Sequence, residues 1–276
     1  ARAGNAMSCL GIIAGGGALP QKLIEACRRD QRSFFVLGFK GQTDDSIMQG
    51  APHAWSKLGA MAQSISILKS NGVDTLVMAG SIRRPGLLEL KPDLRAIQVF
   101  AKLGVRALGD DSLLSGVVRE LETDGFKVVG AHEIEPGLIT PEGVLGSVSP
   151  TAGNRADIEL GINITKTLGR LDVGQACVVQ QSFVLGIEAV EGTDALLERC
   201  RKLKRKGAGG VLVKSCKPQQ DKRLDLPAVG LRTVRLAFEA GLAGIALEAG
   251  ASLLLDRDAV ISAADKLGLF ILGFKA

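Results

Sequence analysis

The stretch LGIIAGGGALP, Leu10 to Pro20, decides the fold class. Leu10–Ala14 is a short apolar run, and Gly15-Gly16-Gly17 closes it before a helix-forming segment from about Ala18 to Arg29. A brief apolar run bounded by glycines reads as a buried strand. A strand, a glycine loop and a helix start in that order open a parallel α/β unit. Glycines let a backbone approach phosphate closely, and a helix N-terminus favours anions, so Gly15, Gly16 and Gly17 are candidate phosphate contacts. The dinucleotide fingerprint is not met. Pro20 stands at the third glycine position, and the next strand ends Gly38-Phe39-Lys40 with no acidic residue for a ribose. A tight βα turn without a ligand is the alternative reading.

Outward from this stretch the rhythm continues. Strands are predicted at Ser33–Phe39, Thr75–Ala79 and Lys127–Val129, with helices near Lys57–Asn71, Asp93–Gly104 and Ser112–Asp124. This alternation implies a parallel sheet with right-handed crossovers. EPGLITPEGVLGSVSP, 135–150, carries three prolines and reads as a linker. Beyond it, helices are expected around Arg155–Leu168, from Thr193 and near Thr233–Ala240. Strands are expected at Ala176–Gln180, Val184–Val190 and Gly210–Ser215, and three more elements end at Phe274. The chain therefore reads as α/β: a Rossmann-like parallel-sheet domain over 1–135, a Pro/Gly-rich linker over 136–150, and an α/β catalytic domain over 151–276.

Composition narrows the chemistry. The chain has 276 residues, enough for two domains, and 46% are hydrophobic, enough for a packed core. The net charge of +5 suits an anionic ligand or an acidic membrane surface, and equally a merely solvated face. Basic residues are not interleaved with aromatics, so no nucleic-acid partner is expected. Five scattered cysteines without a CxxC pair read as reduced core thiols of a cytoplasmic protein. With only His53 and His132, a His-rich zinc site and a Ser-His-Asp triad are disfavoured, and a metal would be a hard cation on carboxylates. No signal peptide and no apolar run of membrane-spanning length is read in the chain.

Four further segments carry candidate chemistry. AGSIRRP, 79–85, lies at the carboxyl end of the third strand, the edge where parallel sheets bind ligands. Gly80, Ser81 and Arg83, with Arg84, are its candidate phosphate contacts, although arginines in a surface loop are commonplace. GDDS, 109–112, reads first as a helix cap. FVLGIEAVEGTDALL, 183–197, groups Glu188, Glu191, Thr193 and Asp194 around a turn. Carboxylates so grouped can hold Mg²⁺ or a sugar hydroxyl, or simply end a strand and cap a helix. GVLVKSCKPQQDKRLDLPAVG, 210–230, is the strongest: an apolar strand delivers Lys214, Lys217, Gln219, Asp221, Arg223 and Asp225 between Pro218 and Pro227. Two carboxylates four residues apart among cations suit phosphoryl chemistry, with a solvated charged loop as the plain alternative. Glu248, after LAGIAL, could face a cleft but reads first as an ordinary strand-end residue.

IAGGGALP, AGSIRRP, GDDSLL, LDVGQACVVQ, VLGIEAVEGTD, VKSCKPQQDKRLDLPAVG and GIALEAG together resemble, in order and over nearly the whole chain, the LpxI-type UDP-2,3-diacylglucosamine pyrophosphatases of lipid A biosynthesis in Gram-negative bacteria. The resemblance implies cleavage of UDP-2,3-diacylglucosamine to UMP and 2,3-diacylglucosamine 1-phosphate (lipid X), with Mg²⁺ as cofactor. It implies two α/β domains with the ligand between them, and it puts Asp225 at the acidic catalytic position with Asp221 nearby, both as metal ligands. A cytoplasmic protein meeting its lipid substrate at the inner face of the inner membrane follows, and a homodimer is compatible with the sequence. The basic tip Arg201–Lys206 suits anionic lipid or plain solvation. A dinucleotide-dependent oxidoreductase and a non-catalytic nucleotide or lipid carrier are the competing readings.

Overall fold

The structure, a computed structural model, describes residues 8–83, 90–103, 110–224 and 226–275. Contacts divide the chain into two compact units. The first is Ala1–Pro136 with Asp221–Asp225, and the second is Gly137–Gln220 with Leu226–Ala276.

The first unit is built on a parallel five-stranded sheet, β1 (Cys9–Ala14), β2 (Phe34–Phe39), β3 (His53–Ser56), β4 (Val73–Ala79) and β5 (Lys127–Val129), in the order β3-β2-β1-β4-β5. β1 is buried along its whole length. Central parallel strands are covered on both faces, which is why it reads as an unbroken apolar run. Its helices are α1 (Leu19–Arg29), α2 (Asp45–Met48), α3 (Met61–Ser70), α4 (Leu94–Leu103), α5 (Asp110–Thr123) and α6 (Ala131–Ile134). α1 buries Leu23, Ile24, Ala26 and Cys27 on one stripe and ends in Arg28 and Arg29, cations that suit a helix C-terminus. The chain runs outward from β1 through β2 to β3, then returns to the other side of β1 with β4. This reversal sets the carboxyl ends of β1 and β4 side by side, the geometry that opens a ligand crevice in such sheets. The edge strand β3 and helices α2 and α6 lie outside the sequence reading; each spans only four residues, below the length at which periodicity speaks.

The second unit has a six-stranded mixed sheet. Its strands are β6 (Gly143–Leu145), β7 (Ala176–Gln180), β8 (Phe183–Ile187), β9 (Val211–Lys214), β11 (Gly244–Glu248) and β13 (Phe270–Phe274), in the order β6-β13-β11-β9-β7-β8. β9, β11 and β13 are parallel, while β6, β7 and β8 pair antiparallel. β10 (Ala228–Val229) and β12 (Leu253–Leu254) form a separate parallel pair. Strand periodicity sorts the core. Ala176, Val178, Leu212, Ile245 and Ile271 pack with helices α8 (Gly192–Arg201), α9 (Leu231–Glu239) and α10 (Arg257–Lys266). Cys177, Val179, Val211, Val213 and Ala246 face α7 (Ala152–Arg170) through Ile158. Thr151 caps α7 by accepting from the Asn154 amide.

The stretch 136–150, read as a linker, belongs from Gly137 onward to the second unit's fold. Ile139 bridges Leu253, Thr140 is fully buried, and β6 pairs with β13, burying Leu145 in the core. Its prolines flank an edge strand, where their missing amide donors cost nothing. All five cysteines are buried and free, and burial pushes the Cys177 thiol up to about 12. No described helix is long and apolar enough to cross a membrane.

Candidate active site

The glycine loop is held against the loop that leaves β4. Gly15 donates to the Ala79 carbonyl at 2.7 Å, Gly16 donates to Ser81 at 2.8 Å, and Ser81 donates back to Gly16 at 3.0 Å. A Cβ on Gly15 would stand 2.4 Å from the Ser81 oxygen, and one on Gly80, whose φ is +89°, would stand 2.4 Å from the Gly16 oxygen. These glycines are required by backbone against backbone. The amides of Gly15 and Gly16 thereby have partners inside the protein. Gly17 is exposed with φ +90°. The loop after β2 joins the same edge: Thr43 Oγ1 donates to Ala14 O at 2.5 Å, and Gln42 Oε1 accepts the Arg83 amide at 2.8 Å. Ser81 and Arg83 are exposed there, and Arg84 lies outside the described residues.

In the second unit, the carboxyl ends of β9 and β11 and the loop after β9 gather most of the remaining candidates. Lys214 is 4% exposed and Glu188 6%. Lys214 Nζ donates to Thr193 Oγ1 at 2.7 Å, and Thr193 donates its one hydroxyl proton to Glu188 Oε1 at 2.6 Å. The Gln175 amide completes Glu188 at 3.2 Å on Oε2. Alternation sends Lys214 toward α8, and it sends Glu248, at the end of β11, to the other sheet face. There Glu248 Oε2 accepts Lys166 Nζ at 2.7 Å and the Cys216 amide at 2.9 Å. Glu248 is thus more than the ordinary strand-end residue the sequence suggested: it holds the first turn of the loop. Lys166 gave no signal in sequence, because nothing in its helix marks one lysine from another.

The loop is clamped further along. Lys217 Nζ donates to Asp172 at 2.6 Å, Gln219 Nε2 donates to Gly169 O at 2.6 Å, and Gln220 Oε1 accepts the Lys217 amide at 3.2 Å. Asp221 to Leu224 then groups with the first unit. Arg223 forks Asp221 through Nε and Nη2, the latter at 2.7 Å, while its Nη1 donates to Glu122 at 2.8 Å. Asp225 lies outside the described residues.

Glu191 and Asp194 do not join Glu188. Glu191 pairs with Arg199 and Asp194 with Arg232, so the turn 188–194 is three separately paired carboxylates rather than a cation cradle. Among the described residues no three His, Cys, Asp or Glu side chains gather for a metal.

The Arg223 fork holds the Asp221 carboxyl below the ordinary carboxylate range, against a smaller opposing effect of burial. Its pKa is depressed in the folded state, so this stabilisation is fully present above the unfolded value of about 4 and is lost as pH falls through the folded one. Arg223→Gln is expected to return the Asp221 pKa toward its ordinary value, read by carboxyl NMR titration. An unchanged titration would refute the fork.

Models of two domains match the chain: LpxI N-terminal domain over residues 9–138 and LpxI C-terminal domain over 141–272. The UDP-2,3-diacylglucosamine pyrophosphatase LpxI of Caulobacter vibrioides is 43% identical over 274 residues, covering 97% of this chain and 98% of that protein. Among solved structures, an N5-carboxyaminoimidazole synthase from Aspergillus clavatus aligns at 15% identity with a TM-score of 0.26, over 72% of this chain and 45% of that one, a likeness that carries no argument.

Proposed function

The chain belongs to the LpxI family, and from that premise we propose that it hydrolyses the pyrophosphate bond of UDP-2,3-diacylglucosamine, giving UMP and 2,3-diacylglucosamine 1-phosphate. The observation that carries the reading is the 43% identity along nearly all of both chains, with the phosphoryl-type loop Lys214–Asp225 inside the matched region. Lys214, Lys217 and Arg223 supply cations for phosphate oxygens, and Asp225, aided by Asp221, supplies the carboxylate that activates water. Gly17, Gly80, Ser81 and Arg83, at the switch point of a sheet we read as Rossmann-like, offer an additional anion-binding edge.

Mg²⁺ is part of this reading. Magnesium is commonly held by one or two carboxylates together with substrate phosphates and water, so Asp225 would hold it without a three-carboxylate protein cage, and Asp221 would join only by leaving its Arg223 fork. Bound there, it would neutralise charge developing on the pyrophosphate. We place the protein in the cytoplasm, working peripherally on lipid at the inner face of the inner membrane.

Incubating the protein with UDP-2,3-diacylglucosamine and Mg²⁺ is expected to release UMP and lipid X. Chelation with EDTA should reduce release to background, and added Mg²⁺ should restore it. Substrate that is bound but never cleaved would favour a carrier, and full activity in EDTA would remove the metal.

A further inference from the structure

We propose that the second unit docks on an anionic lipid surface through the tip where the β7–β8 hairpin meets the basic turn after α8, an inference that rests on the membrane placement proposed above. Gln181 and Ser182 make the two-residue turn between β7 and β8, and both stand in the left-handed region, at φ +53° and +62°. That backbone suits the twist of a hairpin, but asparagine and glycine adopt it more readily than glutamine and serine. Asp157, 3% exposed, holds the strained turn: its carboxylate accepts the Gln181 amide at 2.9 Å and the Ser182 amide at 2.7 Å. The next residue, Phe183, is thereby fixed with 54% of its surface in water.

The basic turn is bonded to this hairpin. Gln180 Nε2 donates to Arg205 O at 3.0 Å and to Ala208 O at 2.7 Å, while its Oε1 accepts the Arg205 amide at 2.9 Å. Gln181 Nε2 donates to Lys206 O at 3.0 Å, and the Arg205 guanidinium lies 3.9 Å from the centre of the Phe183 ring. Hairpin and turn are therefore one surface. Its charge is not spent inside the protein. Arg201 ends α8, where a cation answers the helix C-terminus, and Arg201 and Lys202 share a depression with Glu198 and Glu239. Lys204, Arg205 and Lys206 lie beyond the helix, exposed, and no carboxylate among the described residues pairs with them. Leu203, also exposed, precedes them. Cations beside exposed apolar side chains are what an anionic bilayer takes: charge draws the tip down, and the ring enters the headgroup boundary. A second copy related by a two-fold axis would instead set these cations against their own kind.

The test is vesicle flotation of the full-length protein without substrate, so that docking and hydrolysis are read apart. The wild type is expected to float with vesicles of phosphatidylethanolamine and phosphatidylglycerol at about 3:1, to stay behind with phosphatidylcholine alone, and to be released by about 0.5 M NaCl. Each cation near an anionic surface strengthens binding about fivefold, so Lys204→Gln with Lys206→Gln should weaken it about 25-fold. Phe183→Ser should weaken it about tenfold, and Phe183→Trp should keep it. Lys127→Gln with Lys275→Gln removes the same charge from exposed positions elsewhere and should leave binding unchanged. All these variants should cleave detergent-dispersed UDP-2,3-diacylglucosamine at the wild-type rate. A wild type that ignores anionic vesicles, equal loss in the two lysine pairs, or full binding in Phe183→Ser would overturn the proposal. So would sedimentation in which the tip variants part a dimer while vesicle binding persists, which would give the surface to a second copy. A protein that floats with anionic vesicles in this pattern but releases no UMP would sink the pyrophosphatase reading and leave the docking tip standing.

Discussion

Alanine in place of Asp225 is expected to lower UMP release by about 1,000-fold while the protein unfolds at the wild-type temperature. The size follows from the role. A positioned carboxylate acting as base, or as the donor holding a cation on the reacting phosphate, contributes about 10²- to 10⁴-fold. Stability should hold because the loop has several anchors among the described residues. Lys217 and Gln219 hold it to Asp172 and Gly169, Glu248 holds the Cys216 amide, and Arg223 holds Glu122. Asp221 provides the comparison. Its carboxylate is already occupied by Arg223, so Asp221→Ala should slow turnover less and weaken the docking of residues 221–224 more. Single-turnover hydrolysis beside thermal unfolding separates the two. Near-normal turnover in the Asp225 variant would remove it from the chemistry, and a lowered unfolding temperature would make it structural.

The parts of this protein legible in sequence are those where local pattern and tertiary role agree. β1 is apolar because it is central and parallel, and its glycines announce the turn that follows. The same glycines leave their purpose open. Sequence cannot tell a glycine needed for a phosphate from one needed for a neighbouring backbone, and Gly15 and Gly80 both stand close against backbone. The stretch 136–150 failed for a related reason: proline and glycine punctuate an edge strand as readily as a linker, and only the pairing of β6 with β13 decides. In the candidate site, the density of charge between Pro218 and Pro227 was visible, but the supports were not. Asp172, Lys166 and Glu122 lie 45, 82 and 101 residues from their partners Lys217, Glu248 and Arg223, and long-range pairing leaves no local trace.

The second large effect is expected from Lys214→Met, which should destabilise the second unit by about 3–5 kcal/mol and abolish hydrolysis. Lys214 and Glu188 are both almost wholly buried, and Thr193 joins them by accepting from one and donating to the other. Removing the ammonium leaves the Glu188 carboxylate in a dry site with only the Thr193 hydroxyl and the Gln175 amide for support. A protein of ordinary stability has about 5–15 kcal/mol to lose, so the unfolding temperature should fall by about 10 °C or more. Loss of activity alone would be ambiguous, since a damaged unit is also an inactive one. Lys214→Met combined with Glu188→Gln resolves it. With both charges gone, a buried pair replaced by neutral groups is close to neutral in stability, so the double variant should regain most of the lost unfolding temperature. Activity should stay lost if Lys214 grips a phosphate, because no cation has been restored. Recovery of turnover along with stability would show that Lys214 only balances a buried charge. An undiminished unfolding temperature in Lys214→Met would show that the chain from Lys214 through Thr193 to Glu188 carries no energetic weight.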